Sequence, residues 1–209
     1  MSPALQYNAT MKYEDWMRGS ILAFESNIKL CAKQAILGPL ELSDVKISTI
    51  SPFLIGVIIG TILLLIFSHD GKYCYLVNEI SNSIMVYQYH DGHFTLIQVI
   101  HCVPRHFHGF SSAAAIHMTS SGKHIIVSNR GHDSIVLYRV NQETGKITLL
   151  YMVHTGKGPR DFNIIDDRYI VVASQEEDFL ELYTFDEEKE EIKPTGNTLD
   201  IIQPVCVAL

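Results

Sequence analysis

The chain has 209 residues with a formal net charge of -7, room for one domain, or one domain plus an extension, and a sizeable core. That acidic balance leaves no basic face for nucleic acid or an anionic membrane surface, so no nucleic-acid partner is expected. Its four cysteines, Cys31, Cys74, Cys102 and Cys206, show neither a CxxC zinc spacing nor a short disulfide framework. Cys74 and Cys206 lie in apolar runs, so buried free thiols are the expectation.

Residues 1–49 form an N-terminal extension with little pattern. The stretch SILAFESNIKLCAKQAIL predicts a short helix with Leu22, Ile28, Leu30 and Ala35 loosely on one side. Ile50 to Phe67, ISPFLIGVIIGTILLLIF, then runs for eighteen residues without a charge. As a helix rising 1.5 Å per residue it would just cross a hydrocarbon core of about 30 Å. Lys29, Lys33 and Lys46 before it, against Lys72 after it, would then leave the N-terminus cytosolic. Its β-branched content, Pro52 and two interrupting glycines suit a buried strand equally. Both readings stand.

From residue 68 onward the sequence repeats. Segments beginning at Gly71, Gly122 and Asp167 align at spacings of 51 and 45 residues, with AAAIHMTSSGKH and GPRDFNIIDDRY as matching lead-ins. Short β-branched and aromatic runs alternate with Ser-Gly, Asp-Gly, Thr-Gly or acidic turns, giving four strands per copy. In the second copy they fall near Ala113 to Met118, His124 to Ser128, Ser134 to Val140 and Lys146 to Val153. Four antiparallel strands in a period of about 40–50 residues define β-propeller blades, whereas a sandwich would explain the strand count but not the repeat. The fold expected is therefore all-β, a partial β-propeller of about three four-stranded blades over 68–209, preceded by the partly helical extension. In such a blade the first strand lines the channel and the turn between the second and third strands opens at its mouth. Those turns read NEISNS, NRGHDS and SQEEDF, which makes Glu79, Arg130 and Gln175 equivalent. Gly131 relieves crowding in the middle turn, and His132 and Asp133 are placed to cap it.

The phrases DGKYCYLVNE, SSAAAIHMTSSGKHIIVSNRGHDSIVLYRV, GKGPRDFNI and QPVCV resemble the 6-phosphogluconolactonase and carboxymuconate cyclase-like lactonases, which are seven-bladed propellers. The resemblance runs from about Phe67 to the C-terminus and corresponds to the last three blades and closing strand. It implies a hydrolase that opens a sugar lactone to its acid, with no cofactor and no metal. Glu79, His117, Arg130 and Arg160 fall on matching motif positions; the catalytic set expected is Glu79, His117 and Arg130, and the substrate-binding set Arg160, Asp161 and His132. The residue types suit ester hydrolysis: Glu79 or His117 as base for water, and arginines for the oxyanion and the anionic end of the substrate. Structural roles compete with each assignment, Glu79 as partner of a cation, His117 as a core histidine and Asp161 as acceptor of strand-end amides. The histidines of HCVPRHFHGF, His101, His106 and His108, fall in an inter-blade connection.

One departure matters. The family carries a Pro-Arg-His triplet in the strand leading to the first GKY, where this chain has Ile62, Leu63 and Leu64; its own Pro104 to His106 precedes a different strand. The resemblance thus supplies about half of a site. The alternative expectation is a catalytically inactive propeller segment serving as a binding or scaffold module. Such a module would be anchored through Ile50 to Phe67, or would have its open blade faces covered by self-association or a partner chain.

Overall fold

A computed structural model describes residues 64–208. They form three four-stranded antiparallel sheets, each with its strands in chain order. The first holds β1 (Leu65–Phe67), β2 (Tyr73–Asn78), β3 (Ser83–His90) and β4 (His93–His101). The second holds β5 (Ser112–Met118), β6 (His124–Arg130), β7 (Ser134–Val140) and β8 (Ile147–His154). The third holds β9 (Pro159–Ile165), β10 (Tyr169–Ser174), β11 (Phe179–Asp186) and β12 (Glu191–Asp200). The first strand of each sheet abuts that of the next, the arrangement of successive propeller blades. One short element was not expected: the acidic stretch Gln175–Glu177 winds into a 3-10 turn between β10 and β11.

Leu65–Phe67, the end of the long apolar run, are the innermost strand of the first blade, with Leu65 paired to Leu76 and Phe67 to Cys74. This part of the run takes the strand reading. Ile50 to Leu63 and the expected helix around Leu22 to Ala35 lie outside the described residues. No helix among the described residues is long and apolar enough to cross a membrane.

The two-residue period of a strand explains how the blades stack. From the middle blade, Ile125, Val127, Val136, Tyr138 and Val140 pack with Tyr73, Tyr75, Val77, Ile84 and Val86 of the first. The alternate residues Ile126, Ile135 and Leu137 pack with Phe162, Ile170, Val172, Tyr183 and Phe185 of the third. Burial on both faces is why β6 and β7 read as nearly unbroken apolar runs rather than alternating ones. Two tyrosines then bond the blades together. Tyr138 donates to the carbonyl of His101 at 3.1 Å, and Tyr183 donates to that of His154 at 3.3 Å. They occupy equivalent places in LYRV and LYTF, each beside a bulge in its ladder to the fourth strand. A buried hydroxyl left without such an acceptor would cost about 1–3 kcal/mol.

Cys74 and Cys102 are buried free thiols, and burial pushes Cys102 up to about 12. Cys206 corrects the sequence expectation. It is exposed, because its segment runs along β9, held by Val207 to Asp161 and Asn163 and by the Cys206 thiol against Asp161, with no second sheet over it among the described residues. Cys31 lies outside them.

Candidate active site at the channel mouth

The mouth is built from one device used three times. Asn82, Asp133 and Asp178 occupy the fifth place of the three β2–β3-type turns, at left-handed φ values of 49°, 51° and 59°, a conformation Asn and Asp tolerate better than most residues. Each backbone carbonyl accepts an amide from the end of its own blade: Cys102 at 2.8 Å, Thr155 at 3.0 Å and Ile201 at 2.9 Å. Each side chain reaches the lead-in to the next inner strand. Asn82 Nδ2 donates to Ser111 O at 2.8 Å, Asp133 Oδ1 accepts Gly158 N at 2.9 Å, and Asp178 Oδ1 accepts Gln203 N at 2.8 Å. The turns that carry the charged residues are thus tied to the neighbouring blade.

Glu79 and Arg130 meet across the seam of the first two blades. Arg130 Nη2 donates to Glu79 Oε1 at 2.5 Å and to Ser112 Oγ at 2.9 Å, and the Ser112 hydroxyl donates to the same Glu79 oxygen at 3.0 Å. Ser112 comes close because it opens β5 directly opposite Arg130, the last residue of β6. Gln175, the third equivalent residue, bonds through its backbone amide to Gly158 and has no side-chain bond among the described residues. The buried side-chain atoms without a partner among the described residues, Asn82 Oδ1, Ser111 Oγ, Asn129 Oδ1 and Arg130 Nε, belong to this same seam. Concentrated unpaired polar groups are characteristic of functional regions or internal water sites.

Gly131 makes the close approach possible. Its φ is +85°, and a Cβ there would stand 2.3 Å from the Phe110 carbonyl oxygen, one residue from the Ser111–Ser112 lead-in. Gly131→Ala should therefore lower stability by about 2 kcal/mol or more, from the left-handed penalty plus displacement of backbone. Urea unfolding measures this, and a change below about 0.5 kcal/mol would contradict the close contact.

His117 and Asp161 form a separate pair across the seam of the second and third blades. His117 Nε2 lies 3.7 Å from Asp161 Oδ1, just beyond hydrogen-bond distance. The imidazole stands edge-on to Phe162 at 4.8 Å. Burial alone would raise the Asp161 carboxyl, but His117 and the amides of Val207 and Phe162 outweigh it and hold it below the usual range. It is the carboxylate of the pair, able to orient the imidazole. Ser112 and His117 are five residues apart on β5, roughly 15 Å along a strand, so the Glu79 cluster and the His117 pair sit at different levels along the inner strands. Arg160, next to Asp161, is exposed and has no ion pair among the described residues.

His132 is placed elsewhere in the mouth. Its Nδ1 is 2.8 Å from Ser134 Oγ, and the ring packs edge-on to Phe107 at 4.8 Å and stacks on His154 at 5.3 Å. Burial, reinforced by His154, pushes it below the ordinary histidine value. Ser112 is the residue that sequence reasoning missed. Nothing in SSAAAIH distinguishes it from its neighbours, and only its ladder position opposite Arg130 could have singled it out.

These features define a β-propeller blade array with a charged, inter-blade mouth lined by histidine, carboxylate and arginine. The seven-bladed β-propeller lactonase model matches residues 65–209, and the chain belongs to that family. It is 36% identical over 146 residues to the 6-phosphogluconolactonase of Bacillus subtilis, covering 68% of this chain and 42% of that protein. The periplasmic gluconolactonase of Pseudomonas aeruginosa superposes with a TM-score of 0.65 at 29% identity, over 67% of this chain and 40% of that one. A protein from Lactobacillus plantarum gives a TM-score of 0.65 at 30% identity, over 68% and 42%. The chain thus spans about two-fifths of the length of these relatives.

Proposed function

We propose that the chain contributes one wall of a lactone-hydrolysing site for an anionic sugar lactone of the 6-phosphogluconolactone type. The observation that carries this reading is the His117–Asp161 pair at 3.7 Å, with Arg160, which has no ion pair among the described residues, beside it in sequence. Lactone opening needs water deprotonated as it attacks the ring carbonyl and positive charge where the oxyanion grows. His117, oriented by Asp161, takes the proton from water; Arg160 supplies the charge. Higher on the wall, Arg130 is fixed by Glu79 and Ser112, with its remaining guanidinium hydrogens directed to the phosphate or carboxylate end of the substrate. Glu79 in this scheme positions Arg130, because its carboxylate is already engaged by two donors, and His132 packs the rim. No step calls for a metal or a cofactor.

The test follows hydrolysis of 6-phosphoglucono-lactone by the full chain against the spontaneous rate. Arg160→Ala should lower kcat/KM by about 100-fold or more, as loss of an oxyanion donor does. An unaltered rate in the variant would remove Arg160 from the site, and a wild-type rate equal to background would remove the enzyme reading.

A second reading, a non-catalytic binding module, is favoured by the outer face of the third blade. Leu180, Leu182 and Leu199 share that face by register, and Leu199 is 61% exposed. Exposed apolar sheet surface of this kind is suited to covering by further blades, by a second copy of the chain or by a partner chain.

A further inference from the structure

Asp133 does something its counterparts do not. Its Oδ1 accepts Gly131 N and Gly158 N, each at 2.9 Å. Gly131 directly follows Arg130, and Gly158 stands two residues before Arg160. One carboxylate oxygen therefore holds the backbone beside both arginines. Asp178 makes the same bond to the next lead-in, at Gln203, but the stretch that follows, PVCV, carries no arginine. Asn82 makes it with the opposite polarity, donating from its amide to Ser111 O.

The geometry points to Asp133 as a positioning residue that sets the distance between the two guanidinium-bearing segments, and so the register of an anionic substrate between them. This rests on the lactonase reading above. Arginine side chains are long and flexible, so a shared backbone anchor is what fixes where their forks begin. A carboxylate accepting two amides is a charge-assisted arrangement, and the left-handed φ of 51° lets its short side chain turn back to both. Gly156, Lys157 and Gly158 are also tethered, by Glu181 Oε1, Glu177 Oε2 and the Gln175 backbone. Loss of Asp133 should therefore shift the loop rather than unfold it.

Two variants separate the anchor from general destabilisation. Asp133→Asn keeps the accepting oxygen, whereas Asp133→Gly keeps the left-handed backbone and removes the oxygen. In the full chain, Asp133→Gly should lower kcat/KM for the lactone about 10-fold and speed amide hydrogen exchange at Gly131 and Gly158 at least 10-fold. Asp133→Asn should stay within twofold of wild type on both measures. Equal losses in the Asn and Gly variants, or unchanged exchange at Gly158 in Asp133→Gly, would overturn the anchor. If the wild-type chain shows no turnover, the lactonase reading fails and exchange alone judges the anchor: faster exchange in Asp133→Gly supports it, and unchanged exchange overturns it.

Discussion

Truncating Phe162 to alanine should destabilise the chain by about 3–5 kcal/mol, the range for a large aromatic removed from a closed core. The ring is fully buried, with a relative exposure of 0%. It lies between the second and third blades with Ala115, Ile126, Leu137, Val172 and Tyr183. All of these but Ala115 belong to strands held in ladders on both sides, so they cannot collapse into the space. Phe162→Leu fills most of the volume and should cost no more than about 1.5 kcal/mol. The same ring packs edge-on to His117, so the alanine variant should also lose orientation of the imidazole relative to Asp161. Urea unfolding of the three proteins tests the packing. A loss below about 1 kcal/mol for Phe162→Ala would mean that the blades are not packed as described.

Much of this architecture was legible because strand physics writes itself locally. Each run of five to eight β-branched or aromatic residues ended at a turn whose chemistry named it, as at Asp91-Gly92, where both residues take positive φ between His90 and His93. The repeat then multiplied a weak signal threefold, and the strands of the second blade fall within a residue or two of the sequence expectation at most ends. The site was less legible, because its contacts join residues far apart in sequence. Glu79 and Arg130 were found as equivalent turn residues, but that they bond each other depends on the angle between blades. Ser112 depends on its ladder partner. The structure separates Glu79 from His117, which the sequence offered as interchangeable bases, because depth along a strand is invisible in a motif match. His132 is expected to bind substrate or cap its turn, yet its ring turns to Phe107 and His154. Cys206 looked like core because PVCVAL is apolar, and an apolar run reports burial only where a second layer meets it.

The other end of the second and third blades carries a charged clasp with a sharper expected response. His124 is 3% exposed, with Nε2 at 2.8 Å from Glu190 Oε1 and Nδ1 at 3.3 Å from Glu187 Oε1. Arg139 Nε also donates to Glu190 at 2.6 Å, and Ser121 donates to Glu187. A carboxylate thus faces each ring nitrogen across the seam between the two blades. Arg139, with His124 behind it, holds Glu190 down to about 2 from 4.5. Burial opposes the same effect at Glu187, where Ser121 and His124 still leave the carboxyl below its usual value. A carboxylate whose folded pKa is depressed contributes stability that is complete above its unfolded pKa and is lost as pH falls through the folded one. Stability should therefore decline as pH is lowered from about 4.5 towards 2. The Glu190 share of that loss is about 1 kcal/mol once solvent screening of its partly exposed carboxyl is allowed for. Glu190→Gln should flatten this part of the curve. His124→Leu removes the ring-nitrogen contacts to both carboxylates and leaves Arg139 alone on Glu190. It should cost about 1–3 kcal/mol near neutral pH, because two partly buried carboxylates each lose a hydrogen-bond partner. Urea unfolding across this pH range reads both effects. A wild-type curve with no decline below pH 4.5, or a His124→Leu protein as stable as wild type, would show that the clasp does not hold the two blades together.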